Sequence, residues 1–233
     1  MTPYPYFSDV VFEPNPDAKV GRIQVDGLGS MFIIDDFYRH PEIIHEMLQN
    51  SWVHAWKWEP NSKNFVDYYD CRHVIKKIDY PDRSFSSPYS RLWSIIAENM
   101  GYVCENVEPD YEFNFFKWIN VPGQNIQSYP HQDSRIEDPR IAGLIYLNKD
   151  EDCNGGTAFY HDNAVNPDVG VMEKHDIQVD VDKHYNIAGL VESKFNRCII
   201  YPGWWMHGAY IEDHNFYTDK WRINQVFFEK VKA

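Results

Sequence analysis

From Tyr111 onward the chain breaks into short runs rich in aromatic and β-branched residues, at 111–119, 141–147, 157–160, 197–201, 207–211 and 221–229. Turn signals stand between them: Val121-Pro-Gly, Asn154-Gly-Gly and Tyr201-Pro-Gly. Runs this short are strands rather than helices. Many of them punctuated by Gly and Pro predict a mainly β architecture, a sandwich or jelly roll. An aromatic share of 16% suits pleated strands and a pocket with flat walls.

The first half reads differently. Residues 1–30 are cut by Pro and Gly and predict irregular chain or an edge strand, and Met31 to Ile34 predict a short strand. Asp35 and Asp36 offer N-caps, and Pro41 suits an early helical position. Ile43, Ile44, Met47 and Leu48 at helical spacing then predict a helix near 41–50. Ser87 and Pro88 open a second helix with Leu92, Ile95 and Ile96 as its apolar stripe and Gly101 as its stop. Residues 161–194 are polar and weakly periodic and read as a long insertion of the kind that forms a lid. The expectation is one domain over residues 1–233. In it, residues 1–110 give helical or irregular support, and residues 111–233 form a β-core interrupted by the insertion.

A net charge of -13 disfavours nucleic acid and anionic membrane surfaces as partners. Cys71, Cys104, Cys153 and Cys198 lack zinc spacing and do not form a disulfide framework in a chain of this length. No basic, then apolar, leader opens the sequence, and no run of about 18 apolar residues spans a bilayer. A soluble cytoplasmic protein is expected.

His131-Gln-Asp133 places an imidazole and a carboxylate at i and i+2, which point the same way in extended chain. A third donor, His207, opens the run His-Gly-Ala-Tyr-Ile after Tyr201-Pro-Gly-Trp-Trp. Two histidines and one carboxylate are the facial donor set of non-haem iron(II) sites. His-x-Asp taken alone is as readily a solvated pair at a strand end. Arg222 adds context. If 207–211 and 220–228 pair as a hairpin, residues 207 and 222 lie nearly opposite and share a face. A guanidinium in that cavity needs an anion, and its fork fits a carboxylate.

At this point residues 120–229 resemble the prolyl-4-hydroxylase-like branch of the Fe(II)/2-oxoglutarate-dependent oxygenases. Val121-Pro-Gly lies ten residues before His131, as a similar turn does in that branch. Arg140-Ile-Ala-Gly-Leu-Ile-Tyr-Leu-Asn-Lys-Asp150, Asn154-Gly-Gly-Thr-Ala-Phe159 and Asn196-Arg-Cys-Ile-Ile-Tyr-Pro-Gly follow in the family's order. The resemblance implies a double-stranded β-helix (jelly roll) with flanking N-terminal α-helices. It implies His131, Asp133 and His207 as iron ligands, Arg222 on the distal carboxylate of 2-oxoglutarate, and Tyr146 beside the same carboxylate. The implied reaction uses O₂ and couples decarboxylation of 2-oxoglutarate to succinate with hydroxylation of a C–H bond in a small molecule or protein side chain. An Asp at 133, where halogenating relatives carry a small residue, favours hydroxylation. Fifteen positions separate His207 from Arg222, a longer gap than the family's usual one.

Trp205 and Tyr129, with Trp204 and Trp118, are candidate walls for the substrate, and plain packing is the competing reading of each. Arg135 and Lys117 read as solvated charges. Two other functions stay open: a nucleic-acid demethylating dioxygenase, against which the acidic charge stands, and a non-catalytic metal-binding jelly-roll module. Partner size, substrate and oligomeric state are not written in the sequence beyond a small molecule or peptide.

Overall fold

The computed structural model describes residues 9–50, 54–55, 68–70, 90–104, 114–118, 130–162, 185–213 and 215–232. Within them lie two α-helices, α1 (Pro41–Asn50) and α2 (Ser90–Asn99). The strands are β1 (Lys19–Val25), β2 (Gly29–Asp35), β3 (His54–Ala55), β4 (Tyr68–Asp70), β5 (Val103–Cys104), β6 (Asn114–Trp118), β7 (Arg140–Tyr146), β8 (Gly156–Asp162), β9 (Tyr185–Glu192), β10 (Cys198–Pro202), β11 (His207–Tyr210) and β12 (Arg222–Lys232). The fold is mainly β and its pairings are antiparallel. A large sheet runs β1-β2-β10-β7-β12-β6-β4-β3, with β5 on the far end of β12, and a small sheet runs β11-β8-β9.

Strand alternation divides the large sheet into two faces. Phe32, Ile34, Ile141, Ile145, Cys198, Ile200, Ile223 and Phe227 point to one side, where they meet Ile44, Met47 and Leu48 of α1 and Ile96 and Ala97 of α2. Met31, Ala142, Leu144, Tyr146, Ile199 and Tyr201 point to the other, where they meet Phe159 of β8 and Val191 of β9. The second face, between the sheets, holds the site described below. Gly143 sits opposite Phe227 on β12, and a methyl group at Gly143 would fall inside the Phe227 ring. Only glycine permits that cross-strand contact.

The helix at 41–50 lies where its periodicity predicts. Its stripe is Ile44, Met47 and Leu48, whereas Ile43 is exposed, because a short helix buries one face and Ile43 sits about a quarter-turn away. Ile95 of α2 is likewise 47% exposed and leaves its stripe to Ile96 and Ala97. Gly101 ends α2 as expected. Its φ is +86°, and the amides of Gly101 and Tyr102 close back onto the carbonyls of Glu98 and Ala97. Asp35 and Asp36 do not cap α1. Asp35 ends β2, where its carboxylate takes Arg197 at 2.6 Å and Lys194 at 3.1 Å. The Arg197 hydrogen bond outweighs burial and holds its carboxyl below the usual range.

Two larger expectations change as well. The insertion expected over 161–194 is not one loop: His161 and Asp162 complete β8, and Tyr185–Glu192 is strand β9, paired along β8. Residues 163–184 lie outside the described residues. The hairpin expected between 207–211 and 220–228 does not form, since β11 pairs with β8 and β12 pairs with β7 and β6. The intervening segment folds on itself instead. Ile211 and Tyr217 are buried together, and Asn154 Oδ1 accepts the amides of Glu212 and Asp213 at 3.0 and 2.9 Å. Thus anchored, the chain crosses from the small sheet to the large one.

Candidate metal centre

Strand β10 ends at Pro202, and the next residue, Gly203, joins two remote segments. Its carbonyl accepts the amides of Asp133 and Ser134 at 2.8 and 3.1 Å. Its own amide donates to Arg140 O at 2.8 Å. A Cβ there would lie 3.0 Å from both Arg140 O and Ser134 Oγ, so the approach is close enough to favour glycine. Four residues on, His131 and His207 exchange both backbone hydrogen bonds, at 2.8 and 2.9 Å. This isolated antiparallel bridge puts the two imidazoles on one face, with ring centroids 4.7 Å apart. Extended geometry then aims Asp133 at the same point.

The three side chains converge. Asp133 lies 3.0 Å from His207 Nε2 and 3.5 Å from His131 Nε2, and the donor atoms all fall within 4.8 Å of one another. Exposure grades across the cluster: His207 is 6% exposed, Asp133 16% and His131 36%, so the centre opens on the His131 side. Burial pushes the Asp133 carboxyl up, but the facing His207 and the hydrogen-bonding His131 more than reverse this and hold it well below the usual carboxylate range. His207 Nδ1 lies 2.8 Å from the carbonyl of Trp205. A carbonyl only accepts, so Nδ1 carries a proton and Nε2 is the nitrogen turned toward Asp133. Two lone-pair donors at 3.0 Å repel unless a cation or proton sits between them. The backbone hold on the outer nitrogen is the usual orientation of a metal-bound histidine. The donor set therefore fits a divalent metal.

Arg222 opens β12 on the inter-sheet face and is 4% exposed. Its guanidinium lies 3.4 Å from Gly156 O at the start of β8. On β8, His207 pairs with Phe159, three residues beyond Gly156. Three residues of strand span about 10 Å. The guanidinium and the metal donors thus face one inter-sheet space from its two ends. Although the hairpin is absent, the two facing sheets bring residues 207 and 222 to the same chamber. Tyr146 stands between them, opposite Asn224 on β12, and donates to Thr157 Oγ1 at 2.7 Å. Burial pushes its phenol up to about 12. Tyr201 and Phe159 close the metal end, their rings 4.8 and 6.3 Å from the His207 ring.

Trp205 is buried, its ring edge-on to Phe159 at 5.8 Å, and its carbonyl fixes His207. Trp204 turns edge-on to Tyr102 and takes Gln132 Nε2 on its carbonyl. Arg135 is exposed. Tyr129 lies outside the described residues, as do the side chains of Lys117 and Trp118. Three polar residues of the chamber escape a reading of the sequence: Thr157, Asn224 and Tyr201. Asn224 was within reach, because it stands two residues after Arg222 on the same face. Its Oδ1 is buried with no hydrogen-bond partner.

No protein-family description and no curated protein matches this chain in sequence. Among solved structures it is similar to EvdO2 from Micromonospora carbonacea var. aurantiaca, complexed with 2-oxoglutarate, at 13% identity over 87% of each chain with a TM-score of 0.47. It is similar to the non-heme alpha-ketoglutarate-dependent epimerase SnoN from nogalamycin biosynthesis at 13% identity, over 81% of this chain and 71% of that one, with a TM-score of 0.44. AviO1 from Streptomyces viridochromogenes Tue57 follows at 13% identity, over 82% and 80%, with a TM-score of 0.41.

Proposed function

We propose that this chain is an iron(II)- and 2-oxoglutarate-dependent oxygenase built on a double-stranded β-helix, which hydroxylates a C–H bond of a small molecule or a protein side chain. One observation carries the reading. A His–Asp–His cluster and a buried arginine face a single inter-sheet chamber about 10 Å apart along β8. A facial set of three donors leaves three coordination positions for a chelating co-substrate and O₂. A dicarboxylic acid chelated at the metal would carry its second carboxylate toward the guanidinium end of this space. When bound, iron(II) and 2-oxoglutarate supply the oxidising power to place one oxygen atom of O₂ in a C–H bond, leaving succinate and carbon dioxide.

The chain's own residues bind, orient and exclude water. His131, Asp133 and His207 hold the iron. Arg222 takes the distal carboxylate with its fork, and Tyr146 with Thr157 fixes the wall beside it. Phe159, Tyr201 and Trp205 keep bulk water from the inner side of the metal. The more exposed His131 side is where a substrate would enter.

The test is succinate release from 2-oxoglutarate with iron(II) and O₂, even in the absence of a known substrate, since slow uncoupled turnover reports the same chemistry. His131→Ala and Asp133→Ala are expected to abolish it. Release that persists in both variants would remove the proposal.

A further inference from the structure

Tyr201 is a polar residue of the chamber to which the proposed chemistry gives no polar role, and its surroundings do not explain its hydroxyl. It lies on the inter-sheet face of β10 and is 3% exposed. Its ring packs edge-on against His207 at 4.8 Å and against Phe159 at 5.0 Å. A phenylalanine would make both contacts. Among the described residues the Tyr201 hydroxyl has no hydrogen-bond partner, whereas Tyr146, on the neighbouring strand and the same face, is bonded to Thr157. The hydroxyl is nevertheless not one of the polar atoms sealed from solvent, so although the ring is buried its oxygen meets open space and can donate to what binds there.

The position of that partner follows from β8. Arg222 stands at the level of Gly156, Tyr146 at Thr157, and Tyr201 with His207 at Phe159. Tyr201 is therefore at the metal end of the chamber and Arg222 at the far end. We infer that Tyr201 is a positioning residue for the 2-oxo acid, its phenol donating a hydrogen bond to the oxo-carboxylate end while Arg222 holds the distal carboxylate. The inference rests on the iron and 2-oxoglutarate reading above. It goes further by giving each end of the ligand its own protein contact.

Tyr201→Phe removes the oxygen and keeps the ring, so the packing on His207 survives. The experiment is anaerobic calorimetric titration of the iron(II)-loaded protein with two probes. 2-Oxoglutarate carries both ends; pyruvate carries the oxo-carboxylate end alone. The variant is expected to bind each about tenfold more weakly, equivalent to about 1.4 kcal/mol. Its iron(II) affinity and thermal midpoint should match the wild type. Unchanged binding of both probes would overturn the inference, as would weakening confined to 2-oxoglutarate, which would put the contact at the wrong end. A loss of iron affinity would also overturn it, by making the hydroxyl a support for His207. If the wild-type protein with iron bound takes up no 2-oxoglutarate at all, the reading of the whole site fails. If the wild type binds and the variant binds equally well, only the role of Tyr201 fails.

Discussion

Replacing Arg222 separates an anion site from a structural cation. The side chain is 4% exposed and sits about 10 Å along β8 from the level of His207. It is thus too far from the metal donors to touch them. A fork on a carboxylate makes two charge-assisted hydrogen bonds at about 1.5–3 kcal/mol each. Arg222→Leu forfeits both, about 3–6 kcal/mol in all, or a loss of about 10²–10⁴ in 2-oxoglutarate affinity. Arg222→Lys keeps the charge but offers a point donor in place of a fork, and is expected to lose about one bond, 10–10²-fold. The assay is anaerobic calorimetry of 2-oxoglutarate on the iron(II)-loaded proteins, with iron affinity measured in parallel and expected to stay constant. The order wild type, Lys, Leu should follow, with the same order in ligand-induced thermal stabilisation, since a ligand at a hundred times its dissociation constant adds about 2.7 kcal/mol. Three affinities within a factor of three of one another would refute the reasoning.

Further outcomes follow from the packing. Gly143→Ala should fail to fold or should aggregate, because the new methyl falls inside the Phe227 ring, and Gly143→Ala with Phe227→Leu should recover part of the cooperative melt. Leu48→Ala, at a fully buried position of α1, should cost about 2–5 kcal/mol in chemical denaturation. Asn154→Ala removes the acceptor of two amides in the 212–217 segment. It should lower stability by about 1 kcal/mol and raise the KM for 2-oxoglutarate more than it lowers kcat. The Asp35 carboxyl is depressed by Arg197 and Lys194, so its contribution is present above the unfolded value near 3.9 and is lost as pH falls through the folded one. Arg197→Met should flatten stability against pH in that acid window and nowhere else.

Local pattern in the sequence reaches some of this structure and stops where partners are remote. Helix α1, the glycine stop of α2 and the six late strands follow from periodicity and turn chemistry, which act over a few residues. Strand β1 lies in the opening segment expected to be irregular or edge-strand, and it is an exposed edge. The pairing of β11 does not follow. Its neighbour β8 lies some fifty residues earlier, and the loop before Arg222 folds around Ile211, Tyr217 and Asn154 rather than turning tightly. The longer gap to Arg222 was visible, but the small core it carries was not. His131, Asp133 and His207 are brought together, yet through the carbonyl of Gly203 and an isolated bridge, contacts that no spacing rule contains. Strand β9 was hidden because its face alternates weakly, with exposed Ile187 and Leu190. Thr157 and Tyr201 take their meaning from the facing sheet and cannot be weighed without it.

The account stands on a single ion bound by three side chains. Crystals grown anaerobically with iron(II) and measured on both sides of the iron absorption edge test this directly. The account predicts one anomalous peak in contact with His131 Nε2, His207 Nε2 and a carboxylate oxygen of Asp133. A map with no peak there, or with iron held by other residues while these three stay apart, would contradict it.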